Sequence, residues 1–207
     1  DSGLDTAPFS LWVDANDTST ITTVDGTNDL ISWTNKIDPQ VKLHSGTHRP
    51  KTGANINGIN AINFDYSPNK EQLIARKNGT IDWNPAGVNG LTNGKLSDIA
   101  VFMTLQADTL GRTSMPFNFG WGDHFPWSNG HIYWHFSDNR KSVSLFSAGT
   151  PIVVCLYFSV SEQTQVVYKN GTSVLSGPRT GSTNIGGAFI FPHTNYEPDY
   201  TVGEIIV

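Results

Sequence analysis

Gln165-Val-Val-Tyr-Lys-Asn-Gly-Thr-Ser-Val-Leu175 sets an Asn-Gly pair between two β-prone runs, the strongest short-range hairpin signal a sequence carries. Both central residues of such a turn need a positive φ, which Asn tolerates and Gly adopts freely. Working outward, Ile99-Ala-Val-Phe-Met-Thr-Leu105, His131-Ile-Tyr-Trp-His-Phe136, Ile152-Val-Val-Cys-Leu-Tyr-Phe-Ser-Val160 and Val202-Gly-Glu-Ile-Ile-Val207 are short, β-branched or aromatic, and bounded by turn residues. Helical periodicity is almost absent. Its best candidate, Asn69 to Lys77, reads equally as a strand at Leu73 to Arg76. Strands broken by frequent turns predict an all-β, two-sheet antiparallel β-sandwich.

Toward the N-terminus, residues 1–8 read as a linker or arm, and residues 9–207 as a single domain opening on a strand at Phe9 to Val13. A short strand follows at Leu30 to Trp33. Pro50 to Asn60 reads as a Gly- and Asn-rich loop ahead of Ala61-Ile-Asn-Phe64, where Ile62 and Phe64 alternate inward. A second such connection is expected from Asn78 to Gly94. Because the sequence opens on Asp1 rather than Met, an upstream segment is expected to have been removed.

Only 15% of the residues are charged, with 20 Gly and 11 Pro, which suits a turn-rich sandwich covered by Asn, Thr and Ser. The net charge of −5 comes from 13 basic and 18 acidic residues without a run of either sign, so no nucleic-acid partner is expected. No stretch is apolar for the ~18 residues of a membrane-spanning helix, so membrane insertion is not expected. Cys155 lies in an apolar run and reads as a small buried hydrophobe. Without a second cysteine in this sequence, no internal disulfide exists to indicate a compartment. Asn16, Asn78 and Asn170 open Asn-x-Thr sequons, which would lie on surface loops, although Asn170 is first a turn residue.

Leu11-Trp-Val-Asp-Ala-Asn-Asp-Thr-Ser-Thr-Ile21, Asp25-Gly26, Trp33, Arg49-Pro50, Asn57-Gly58, Ile62-Asn-Phe-Asp65 and Gly203-Glu-Ile-Ile-Val207 together resemble the laminin-G-like, concanavalin A-like jelly-roll domains. The resemblance spans nearly the whole chain and implies a two-sheet jelly roll. Relatives of this kind bind glycans, mediate adhesion, or serve as accessory modules of secreted enzymes and of virus surfaces. The superfamily also holds glycoside hydrolases and polysaccharide lyases, so the fold alone does not decide on catalysis.

Glycosidic cleavage needs two carboxylates at a defined separation. The glutamates are Glu71, Glu162, Glu197 and Glu204, and none forms the Glu-x-Asp-x-x-Glu strand of the related glucanases. The strand motifs of jelly-roll alginate lyases are likewise missing, so a non-catalytic module is expected. The densest unusual stretch is Gly120-Trp-Gly-Asp-His-Phe-Pro-Trp-Ser-Asn-Gly130. Trp121 and Trp127 can stack on sugar rings while Asp123, His124 and Asn129 bond hydroxyls, or the aromatics can fold back to cap the core. On the following strand Ile132, Trp134 and Phe136 face the core, and His131, Tyr133 and His135 the other side, where Tyr133 and His135 can extend the same glycan site.

Zinc is not expected, because His131 and His135 stand roughly 13 Å apart on an extended strand. Calcium is a possible ligand of Asp14, Asn16, Asp17, Asp25, Asp65 and Asp138, though turn chemistry also accounts for these residues. The sequence therefore points to an extracellular, cell-surface or virion-surface module that binds glycan or polysaccharide. A structural or decoration protein contacting other subunits is the first alternative. A lyase or hydrolase with an unfamiliar site is the second.

Overall fold

The computed structural model describes residues 10–65, 71–83, 94–95, 98–110, 129–136, 139–159, 161–178, 184–185, 189–192 and 199–207. Its strands run in chain order as β1 Trp12–Asp14, β2 Ile21–Thr23, β3 Leu30–Thr34, β4 Val41–Ser45, β5 Lys51–Ile56, β6 Ile59–Phe64, β7 Leu73–Lys77, β8 Ile81–Asp82 and β9 Gly94–Lys95. They continue as β10 Ile99–Ala107, β11 His131–Phe136, β12 Asn139–Ser144, β13 Pro151–Ser159, β14 Thr164–Lys169, β15 Thr172–Pro178, β16 Asn184–Ile185, β17 Ile190–Phe191 and β18 Tyr200–Ile206. The larger sheet has the order β15-β14-β13-β10-β18-β6-β5, with β1 also paired to β18; the smaller runs β17-β7-β4-β3-β2, with β8 on β7. Every pairing among them is antiparallel, the two-sheet sandwich the sequence predicts.

The alternation of each strand builds the core. Val101, Met103 and Leu105 of β10 and Val154 and Leu156 of β13 point inward against Trp33, Leu43 and Ala75 of the smaller sheet, all buried. Ile62 and Phe64 are fully buried as expected. Phe64 and Tyr200 of the larger sheet meet Phe191 of the smaller at ring-centroid distances of 5.5 and 5.9 Å, the first pair edge to face, which ties the sheets together.

The Asn170-Gly171 turn forms as read, with φ of 49° and 80°. Two further elements differ from the sequence reading. The stretch Pro50 to Asn60 is not a loop: β5 and β6 form a hairpin whose own Asn57-Gly58 turn has φ of 52° and 86°. Only Ile56 on the less exposed phase of β5, Thr52, Ala54 and Ile56, is large and apolar, which weakens the period-two signal of this strand at the edge of the sheet. At Asn69 to Lys77 the strand reading holds, since β7 alternates Leu73 and Ala75 inward. The stretch Asn78 to Gly94 includes β8, reached through a third positive-φ pair at Asn78 and Gly79.

Gly130 combines a φ of 77° with a close backbone approach, since a Cβ there would lie 2.5 Å from the Phe146 carbonyl oxygen. Gly171 shares the positive φ but faces open space. Denaturant unfolding is therefore expected to show Gly171→Ala costing about 1 kcal/mol and Gly130→Ala more than about 2 kcal/mol; equal costs would contradict the close approach.

Candidate functional site

The outward side chains of the larger sheet form an open face. Because Val101 and Met103 face the core, Ala100, Phe102 and Thr104 face outward. The register then lines up two cross-strand rows. One runs Trp12, Ile206, Phe102, Cys155 and Tyr168; the next runs Asp14, Glu204, Thr104 and Val153. Phe102 and Val153 are exposed, at 42% and 45%.

Two hollows lie over these rows. An apolar one of about 450 Å³ is lined by Ala100, Phe102, Val153, Cys155, Tyr157 and Tyr168. Its polar neighbour, about 390 Å³, is lined by residues that include Asp14, Asn57, Thr104, Val153, Asn170 and Glu204. Val153 lines both hollows, so the two adjoin along the outer face.

Local structure fixes each polar group. Gly203 is the extra residue where the β10–β18 register shifts, and the bulge brings Glu204 outward beside Thr104. Trp12 Nε1 donates to Glu204 Oε1 at 2.8 Å, and Lys36 Nζ donates to Asp14 Oδ2 at 3.2 Å while sitting 4.4 Å over the Trp12 ring. Buried Asn35 anchors this corner, its Oδ1 accepting the Trp12 N–H at 2.9 Å and its Nδ2 donating to the Ser10 carbonyl. Asn170 Oδ1 accepts the Val153 N–H at 2.9 Å and the Asn170 N–H donates to the Val153 carbonyl at 2.8 Å, which pins the hairpin tip to this face.

Cys155 is buried and free, as read, but it does not face the inter-sheet core. Val154 and Leu156 take the inward positions, and the thiol lines the outer hollow between the Phe102 and Tyr168 positions. Burial pushes it up to about 11, so it is not a nucleophile at neutral pH.

Of the residues proposed from sequence, Trp121, Asp123, His124 and Trp127 lie outside the described residues. Asn129 is exposed and its Oδ1 accepts the His131 N–H at 3.1 Å, a turn role. Tyr133 and His135 occupy β11 positions opposite Ser142 and Arg140. Ile132 is buried in the core, as its place in the alternation requires. The groove residues Phe102, Tyr157 and Tyr168 were not singled out from sequence.

At the rim, Asp65, Asp199 and Asp108 sit beside the paired ends of β6, β18 and β10. Among the described residues no three His, Cys, Asp or Glu side chains converge as a metal site needs, and Asp138 lies outside them. Asp14 and Asp17 are both bridged by Lys36, and they accept from the Asn16 N–H and the Ser19 hydroxyl.

No family model matches this sequence, and no curated protein matches it. Solved structures do. The chain superposes on the botulinum neurotoxin serotype D binding domain with a TM-score of 0.59 at 13% identity, covering 96% of this chain and 47% of that one. It superposes equally on Trypanosoma rangeli sialidase in complex with sialic acid, TM-score 0.59 at 10% identity, covering 97% of this chain and 30% of that one. The same sialidase with the inhibitor DANA gives 0.60 at 13% identity. The chain thus spans less than half the length of these proteins, and the likeness establishes a shared β-sandwich fold. Fold and site together define a β-sandwich domain with an aromatic and carboxylate-bearing groove on one outer face.

Near this rim, Glu71 is buried and accepts the Asp65 N–H at 3.0 Å. Burial pushes its carboxyl up to about 7, with the Asp65 N–H pulling the other way. A raised carboxyl stabilises the fold while protonated, fully below its unfolded value of about 4.5 and progressively less as pH rises to about 7. Glu71→Gln is expected to match the wild type at low pH and to be more stable at about pH 8 by roughly 2–3 kcal/mol. Thermal melts across that range check it, and a constant difference at every pH would refute the assignment.

Proposed function

We propose that this domain is a non-catalytic glycan-binding module of the laminin-G-like, concanavalin A-like type, displayed outside the cell or on a particle surface. One observation carries the reading: the larger sheet exposes Phe102, Tyr157 and Tyr168 directly beside the hydrogen-bonding groups of Asp14, Thr104, Asn170 and Glu204. Sugar rings present apolar C–H faces ringed by hydroxyls, which this pairing of chemistries matches. A groove running from β1 across β18, β10 and β13 to β14 spans about 19 Å at the usual strand spacing, enough for several sugar units of one chain. The stretch with Trp121, Asp123, His124, Trp127 and Asn129, together with Tyr133 and His135, offers the same chemistry as a second contact surface.

The enzyme alternative has its own observation. Asp14 and Glu204 stand directly opposite across β1 and β18, which sets two carboxylates side by side on one face, the pair of groups that glycosidic cleavage uses. Lys36 and Trp12 already engage these two groups, which favours a positioning role in binding.

A glycan array of the folded domain, followed by calorimetry on the best hit, decides between the surfaces. Phe102→Ala and Tyr168→Ala are each expected to weaken binding about tenfold or more while the melting temperature holds. Full retention there, with loss in Trp121→Ala and Trp127→Ala, moves the site to the other surface. A blank array with concentration-dependent self-association favours the assembly protein. Reducing ends released from polysaccharide, and abolished by Glu204→Gln, would replace binding with catalysis.

A further inference from the structure

The outer face of the smaller sheet carries the opposite charge pattern. Lys42 and His44 alternate with buried Val41 and Leu43 on β4, and Ile74 and Arg76 alternate with buried Leu73 and Ala75 on β7. The register sets Lys42 directly against Arg76 and His44 against Ile74, which makes His44 the diagonal neighbour of Arg76. Like charges directly opposite on an antiparallel pair destabilise a sheet. Relief within this face is slight: Asp82 Oδ1 lies 4.0 Å from Arg76 Nε, and both side chains are about half exposed, at 43% and 56%. Lys77, next along β7, is already held by Asp38 at 2.9 Å.

The rows continue onto β3, where Thr34 stands beside Lys42 and buried Ser32 beside His44. His44 Nε2 is itself buried, with no hydrogen-bond partner among the described residues. Burial, then Arg76, then Lys42 hold the imidazole below its ordinary pKa. The face thus sets a guanidinium fork and an ammonium beside a neutral histidine that can gain a proton, with hydroxyls at the margin. An oxyanion placed there would relieve the Lys42–Arg76 repulsion and accept charge-assisted bonds.

We propose that Lys42, His44 and Arg76 bind the oxyanion substituents, sulfate ester or carboxylate, of an acidic polysaccharide on the face opposite the groove. The whole-chain charge of −5 opposes the dense, evenly spaced phosphates of nucleic acid, while a polysaccharide spaces its anions one sugar or more apart. An anion here stabilises imidazolium. Binding therefore tightens as pH falls through the titration of His44, whose charged neighbours are Lys42 on its own strand and Arg76 and Asp82 across β7 and β8.

The test follows the His44 ring signals by NMR against pH, with and without inorganic sulfate, beside calorimetry with dextran sulfate, polygalacturonate and double-stranded DNA. All binding is measured in the Phe102→Ala background, so that failure of the groove reading does not enter. Sulfate is expected to raise the His44 midpoint, and both acidic polysaccharides to bind more tightly at about pH 5.5 than at about pH 8. Arg76→Gln should weaken them about tenfold, and His44→Gln should keep the affinity seen at high pH while losing the gain at low pH. Lys42→Gln, which removes the like-charge contact, gives a second reading if Arg76→Gln does not fold. An unmoved His44 midpoint, or equal affinity in these variants, overturns the site. DNA binding lost in the same variants overturns the choice of polysaccharide.

Discussion

The pairing of β18 is the constraint on which the rest of the structure depends. This last strand lies along β10 on one side and divides its other side between β6, through Tyr200 to Val202, and β1, through Glu204 to Ile206. Trp12 therefore meets Ile206 across most of the sequence, so this edge of the larger sheet is held by contacts of high sequence separation, which carry a large loop-closure cost. The bulge at Gly203 falls at the handover between β6 and β1. It is also what brings Glu204 beside Thr104 on the outer face, so the residue that accommodates the change of partner creates the polar end of the groove.

The two outer faces then diverge in chemistry for a reason rooted in burial. Both sheets give their inward positions to hydrophobes, which leaves outward positions free to carry whatever solvent tolerates. On the larger sheet these became aromatics with two carboxylates, each tied by a neighbour, Trp12 on Glu204 and Lys36 on Asp14. On the smaller sheet they became cations with weak counter-charge, Lys42 opposite Arg76 with His44 diagonal to it. The first face is satisfied within itself, while the second keeps a like-charge contact that the proposed oxyanion would relieve.

Turn chemistry made much of this fold legible. The Asn-Gly pair at 170–171 announced a hairpin because only residues that accept a positive φ can reverse direction in two residues, and the alternation of Ile62 and Phe64 announced which side chains of β6 would be core. The identical pair at Asn57-Gly58 was legible too, yet Pro50 to Asn60 read as loop. In β5 the exposed Lys51, Gly53 and Asn55 alternate with Thr52, Ala54 and Ile56, of which only the last is large and apolar, so no strong hydrophobic period accompanies the turn. Strand recognition from sequence depends on one face being buried, and edges break that condition.

The groove was hidden by the same rule that revealed the strands. Phe102, Tyr157 and Tyr168 are hydrophobic enough to pass as core when the run is read by composition, and Cys155 is itself one of five consecutive apolar residues from Ile152 to Leu156. Only the phase of the alternation separates the two faces, and the outward phase also carries apolar residues, Phe102 on β10 and Val153, Cys155 and Tyr157 on β13. A sandwich core needs one inward row, filled here by Val154 and Leu156, so a second apolar row on the same strand exceeds what folding requires. That surplus, exposed to solvent at Phe102 and Val153, is the observation from which the proposed binding face is argued.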